Sequence, residues 1–180
     1  RAMQVLWKCA YPAGAGWRLA WEEGGFAEPE STLYDPARDV IYVSNVDGNP
    51  PEKDGQGFIS QVTPDGVVIR RLWVTGLNAP KGMAVRGDRL FVADIDRLAE
   101  IDIGRGRVVR FHPADHAVFL NDVTVDDAGN VYVSDMFDDA IYRLADGEFT
   151  LWLQDPALRA PNGLKADGER DFLFYRHPSA

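Results

Sequence analysis

Short runs of apolar residues recur along the chain and are separated by turns rich in Gly, Pro, Asp and Asn. The clearest are Val40-Ile41-Tyr42-Val43, Leu90-Phe91-Val92-Ala93 and Val131-Tyr132-Val133-Ser134. Each is dominated by β-branched and aromatic side chains, which fit a pleated surface, and none continues long enough to build a helical stripe. A shorter strand precedes each run, at Ser31 to Tyr34, Gly82 to Val85 and Asp122 to Val125. A third strand follows, at Ile59 to Val62, Ala99 to Ile103 and Ile141 to Leu144, and leads into a glycine turn: Pro64-Asp65-Gly66, Gly104-Arg105-Gly106 or Asp146-Gly147. Such turns predict hairpins into a fourth strand carrying bulky residues, Leu72-Trp73-Val74, Val108-Val109 or Leu151-Trp152-Leu153.

This grammar repeats. Aligning EPESTLYDPARDVIYVSN, NAPKGMAVRGDRLFVAD, FLNDVTVDDAGNVYVSD and APNGLKADGERDFLFYR puts Glu30, Lys81, Asn121 and Asn162 in one column, spaced by 51, 40 and 41 residues. Four strands at that period, with no helical segment between them, predict an all-β fold, a β-propeller of four-stranded blades. The units fall near 26–76, 77–117, 118–158 and 159–180, about three and a half blades, so the sequence reads as a fragment of a larger propeller covering 25–180. Residues 1–24 match no later unit and read as a leader remnant or N-terminal arm, and the tail from Asp171 departs from the strand pattern of the other units.

Composition narrows the partners. The chain is 46% hydrophobic and 26% charged, as in folded globular proteins. A net charge of -9 repels phosphate backbones and anionic lipid, which argues against nucleic acid and membrane. Cys9, the sole cysteine, cannot close an internal disulfide. The stretch Asn45 to Gly57 is polar with two prolines and reads as a surface insertion loop, and His112 and His116 read as solvated loop histidines. Asn45, Asp94 and Asp135 each end a second strand, where a short Asx side chain bonds turning backbone.

Chemistry concentrates in the aligned column. Inner strands of a propeller line its central channel, so Glu30, Lys81, Asn121 and Asn162 stand at the channel mouth. A carboxylate beside amide oxygens offers hard donors, suited to calcium, magnesium or manganese and not to zinc. The same column has a plainer reading, with Glu30 paired to Lys81 and the two asparagines serving as turn residues. No nucleophile elbow, phosphate loop or zinc-protease motif is present.

The segment EPESTLYD with VIYVSN after it, the unit LNDVTVDDAGNVYVSD and the tract APNGL resemble the senescence-marker-protein/gluconolactonase family, the regucalcin-like or LRE propellers. The resemblance implies a six-bladed parent with one divalent cation in the channel, calcium first, and a lactone hydrolase activity. It makes Glu30 and Asn162 metal ligands and Asn121 a substrate contact. Phe119 stands where the sugar-lactone enzymes carry arginine, which implies a more apolar lactone, and Phe119 and Lys81 join Asn121 as expected substrate contacts, with Lys81 close to the cation site. The family's general-base aspartate belongs to a later blade, beyond the C-terminus, so no catalytic residue is expected within this chain. The resemblance also implies a bacterial, periplasmic or secreted protein. The competing reading is a non-catalytic NHL-type propeller that presents loops to a partner. Open blade faces would favour an oligomer in either case.

Overall fold

The computed structural model describes residues 4–10, 16–168 and 171–176. A two-stranded sheet comes first, β1 (Gln4–Ala10) with β2 (Arg18–Phe26). Three four-stranded antiparallel sheets follow in order. Blade 1 is β3 (Pro29–Asp35), β4 (Val40–Asn45), β5 (Gly57–Val62) and β6 (Val68–Leu77). Blade 2 is β7 (Pro80–Arg86), β8 (Arg89–Asp94), β9 (Arg97–Asp102) and β10 (Arg107–Pro113). Blade 3 is β11 (Leu120–Val125), β12 (Val131–Asp135), β13 (Ala140–Ala145) and β14 (Glu148–Gln154). A second two-stranded sheet closes the series, β15 (Pro161–Asp167) with β16 (Asp171–Arg176). This is the all-β, partial-propeller architecture the repeat predicts. No helix among the described residues is long and apolar enough to cross a membrane.

Strand alternation explains how the blades stack. Successive side chains point to opposite faces, so each middle strand serves two interfaces. On β8, Leu90 and Val92 join Tyr42, Ile59 and Trp73 of blade 1, while Phe91 and Ala93 join Val131, Val133 and Tyr142 of blade 3. The β15–β16 pair packs Leu164 and Phe172 on Tyr132 and Ile141 of blade 3. The glycine turns are hairpins as expected: Asp146 and Gly147 adopt φ of 51° and 82°, the double left-handed form favoured between twisted strands.

Three local expectations change. The arm expected over residues 1–24 is largely a hairpin that runs on to Phe26, and it covers blade 1: Leu6, Trp21 and Phe26 pack on Val43 and Val62. Lys8 Nζ and Trp21 Nε1 both donate to the Pro64 carbonyl at 2.8 Å. The tail from Asp171 is a strand in the register of the other units, Lys165 facing Leu173 as Leu33 faces Tyr42 and Thr124 faces Tyr132. His112 is not a solvated loop residue. It lies buried on β10 with Nε2 3.0 Å from Glu100, which also meets Arg89. The Asn45 to Gly57 loop is exposed over residues 48–56, as its polarity requires.

Candidate functional site

The Asx residues that end each second strand anchor the entrance to their own blade. Asp94, fully buried, accepts from the backbone of Asn78 and Ala79 at 2.8 Å each and from Arg97 at 2.8 Å. Asp135 accepts from Val118 and Phe119, and Asn45 accepts from Ala27. One device therefore fixes the segment leading into β3, β7 and β11. The bonds run back to the segment before the first strand, and in blade 3 Asp135 also accepts from Phe137 in the following turn.

These inner strands stand side by side in the order β3, β7, β11, β15. Gly82 shows how closely they approach: a Cβ there would collide with Asp122 Oδ1 and lie 2.9 Å from the Asn121 carbonyl. The column residues stand at the head of this row. Lys81 is buried, donates Nζ to the Ala79 carbonyl at 3.0 Å and lies 4.2 Å from the Phe119 ring centroid. Phe119 stacks on the exposed Phe137 with centroids 4.9 Å apart, and its carbonyl accepts from Met136 N. Asn162 donates Nδ2 to Met136 Sδ at 3.3 Å, and its amide oxygen accepts from no donor among the described residues. Asn121 is buried on β11.

Lys81, Phe119 and Asn162 thus form one patch, linked through Met136. Glu30 approaches it from β3. The expected Glu30–Lys81 ion pair does not form: among the described residues, neither takes part in a salt bridge. Their charges still interact. Loss of solvation pushes the Glu30 carboxyl above its usual range, with Lys81 opposing and Asp122 adding to the rise. The side chain reaches solvent, so this is the effect of a crowded carboxylate and not of a sealed one. Burial pushes the Lys81 ammonium down, against the pull of Glu30 and Asp94.

Asp122, next to Asn121, is the acidic residue that a reading based on types alone would enlist. Burial raises it, and it is already committed: Oδ2 accepts from Leu164 N at 2.7 Å and Oδ1 from Val123 N at 2.9 Å. It ties β11 to β15. Among the described residues no group of three or more His, Cys, Asp or Glu converges as a metal site would require. Glu30 and Asn162 offer hard-oxygen donors from the first and last inner strands, with β7 and β11 between them. That set fits a hard cation in kind but supplies two of the roughly 6–8 oxygens calcium takes.

No protein-family model matches the sequence, and no curated protein matches it. Solved structures do. The chain superposes on virginiamycin B lyase from Staphylococcus aureus with a TM-score of 0.59 at 14% identity, covering 77% of this chain and 45% of that one. Luciferin-regenerating enzyme matches with a TM-score of 0.59 at 15% identity, covering 81% and 54%. The PQQ-bound aldose sugar dehydrogenase from Streptomyces coelicolor matches with a TM-score of 0.61 at 15% identity, covering 91% and 62%. The likeness is one of fold. These neighbours are propeller proteins of unlike chemistry, and the chain spans about half their length.

Proposed function

We propose that the chain is the metal- and ligand-binding part of a lactone hydrolase of the gluconolactonase-like type. The observation that carries this reading is Glu30: a crowded carboxylate at the head of an inner strand, left unpaired because Lys81 turns to Ala79 and Phe119. Asn162, whose amide oxygen has no hydrogen-bond donor among the described residues, supports it from the far end of the row. The fold likeness to luciferin-regenerating enzyme is consistent with it.

Glu30 and Asn162 would hold the cation, calcium first and magnesium or manganese as alternatives. When bound it would polarise the lactone carbonyl and acidify a water. The residues of the chain do the positioning. Asn121 presents an amide to the ring oxygens of the lactone, the Phe119–Phe137 pair gives an apolar wall, and Lys81 keeps positive charge beside the carbonyl oxygen. The proton acceptor of that chemistry is an aspartate outside these 180 residues, and Asp122 cannot stand in while both its oxygens hold backbone N–H groups. The chain by itself is therefore proposed to bind without turnover.

Thermal melting under calcium titration tests this. At 100 times the dissociation constant the folded state gains about 2.7 kcal/mol. Glu30→Gln should lose most of that gain, and Asn162→Ala should weaken it. No calcium-dependent shift would favour the second reading, a non-catalytic NHL-type propeller. The lack of a converging acidic cluster among the described residues and the fold likeness to a chain of a nidogen/laminin complex, with a TM-score of 0.61 at 17% identity, speak for that alternative.

A further inference from the structure

Where one sheet packs on the next, a tryptophan seats itself on a glycine turn. Trp21 of β2 lies over Gly66, in the turn between the third and fourth strands of blade 1, where a Cβ would be 2.7 Å from its ring. Trp73 of β6 lies over Gly106, in the corresponding turn of blade 2, at the same 2.7 Å. In both turns the space left by the missing Cβ is filled by an indole, three of whose atoms fall within 3.4 Å of that point.

The junction of blades 2 and 3 is built differently. Gly147 holds the same turn position in blade 3, with a φ of 82° against 90° at Gly66, yet nothing lies within 4 Å of where its Cβ would be. β10 has no tryptophan to send across. It lines the junction with Arg110 and His112, which stand opposite Glu100 and Leu98 of β9. His112 is buried and turned to Glu100 and to the edge of the Phe149 ring, so it does not take the place of the indole. A cavity of 310 Å³ is left, bordered by Arg86, Arg110, His112, Gly129, Leu144 and Gly147. That volume is at the lower end of small-molecule sites, about 300–1,000 Å³. Both blades enclosing it are complete four-stranded sheets, and every residue on its wall lies between positions 86 and 147.

The walls decide which chemistry this space accepts. Arg110 forms no ion pair among the described residues. Arg86 is held in place, its Nη1 donating to the Gly129 carbonyl and its guanidinium standing 5.0 Å from the Phe91 ring centroid. Glu100 also borders the cavity, but both its oxygens are engaged, Oε1 by Arg89 at 3.1 Å and Oε2 by His112 Nε2 at 3.0 Å. Asp146 stands at the exposed rim, where water and salt screen its charge. Two guanidinium groups thus outweigh one solvated carboxylate, and a guanidinium fork matches an incoming carboxylate through two parallel N–H···O bonds. Leu144 and the bare backbone of Gly147 supply an apolar floor.

We propose that this cavity binds a small aromatic carboxylate, with its ring over Gly147, where the other two junctions hold an indole, and its charge on Arg110 with Arg86 beside it. The site lies at the Arg86 end of β7, whereas Lys81, near the opposite end of that strand, belongs to the channel mouth. It is therefore separate from the candidate metal site and does not rest on the lactonase reading. Ring and charge are both needed. A simple carboxylate leaves the space over Gly147 unfilled, and a neutral ring leaves Arg110 without a counter-charge.

Calorimetric titration of the chain with benzoate and indoleacetate, beside acetate and neutral indole as controls, decides it. At least one of the two aromatic carboxylates should bind about tenfold more tightly than either control. Arg110→Gln should weaken that binding by about tenfold and leave neutral indole unaffected. Arg110→Trp returns an indole to the junction, so it should abolish binding while the melting temperature holds or rises. Failure of both aromatic carboxylates to bind at millimolar concentration would overturn the proposal. So would affinities that survive both substitutions, since the ligand would then sit elsewhere, as at Lys81 and Phe119, and so would acetate binding as tightly as the aromatic acids. Should Arg110→Trp fail to fold by circular dichroism, Arg110→Gln decides alone.

Discussion

Strands β3 and β7 hold the same place in successive blades, yet one is exposed on a face that the other buries. On β7 the run Pro80 to Ala84 is wholly buried, whereas on β3 every second residue from Glu30 to Tyr34 is exposed. The sequences mirror the difference. Met83 and Val85 face a neighbouring blade, and Thr32 and Tyr34 take those positions on β3. A strand's burial in this fold is thus set by the blade beside it, and its own pairing within the sheet leaves that undecided.

The largest effect expected from this contrast is at the anchoring Asx residues. Asp94→Ala should cost about 3–5 kcal/mol, because it strands Arg97 and two buried N–H groups. Asn45→Ala should cost about 1–2 kcal/mol, losing neutral bonds at the less enclosed blade. Equal losses in urea unfolding would break the comparison. The tryptophans come next. Trp73→Ala should cost about 3–5 kcal/mol, and Trp21→Ala about 1–2 kcal/mol, since Trp21 covers blade 1 from a two-stranded sheet and is only half-buried. Gly82→Ala should cost about 1–3 kcal/mol by overpacking against Asp122. Ser31→Ala, the same column position on β3, should move stability by less than about 0.5 kcal/mol.

The smallest effect is a pH dependence in blade 3. Burial raises the Asp126 carboxyl, but hydrogen bonds from Asn130 and Tyr132 outweigh it and hold the group below the usual 3.8. The folded state therefore binds this proton less tightly than the unfolded chain does. The stability it contributes is complete above the unfolded pKa and is lost as pH falls through the folded one. Asp126→Asn should melt lower than wild type at neutral pH and converge with it in acid. The corresponding position in blade 2 is Arg86, which has no carboxylate to lose a proton, so the trend belongs to blade 3.

The blades were legible because their signals are local: the Tyr42, Phe91 and Tyr132 strands, the glycine turns and the repeat of roughly 40 residues all lie within single units. The β1–β2 hairpin was not, because two strands carry only half of the four-strand repeat. Its signal was present in Trp21, Gly25, Phe26 and Pro29, which match Trp73, Gly76, Leu77 and Pro80. His112 was missed for a related reason, its partner Glu100 being on the neighbouring strand. For the column, sequence placed Glu30, Lys81, Asn121 and Asn162 at equivalent positions. It did not reveal that Lys81 turns from Glu30 to Phe119, or that Met136 links Phe119 to Asn162. Those contacts cross between blades, where spacing along the chain carries no information.

Thiol labelling tests the central contrast most directly. In a Cys9→Ser background, Thr32→Cys should react with a maleimide at the rate of a solvent-exposed thiol. Met83→Cys, its counterpart on β7, should react only as fast as the chain unfolds. Equal rates at the two positions would contradict the account, because β3 and β7 would then have the same surroundings.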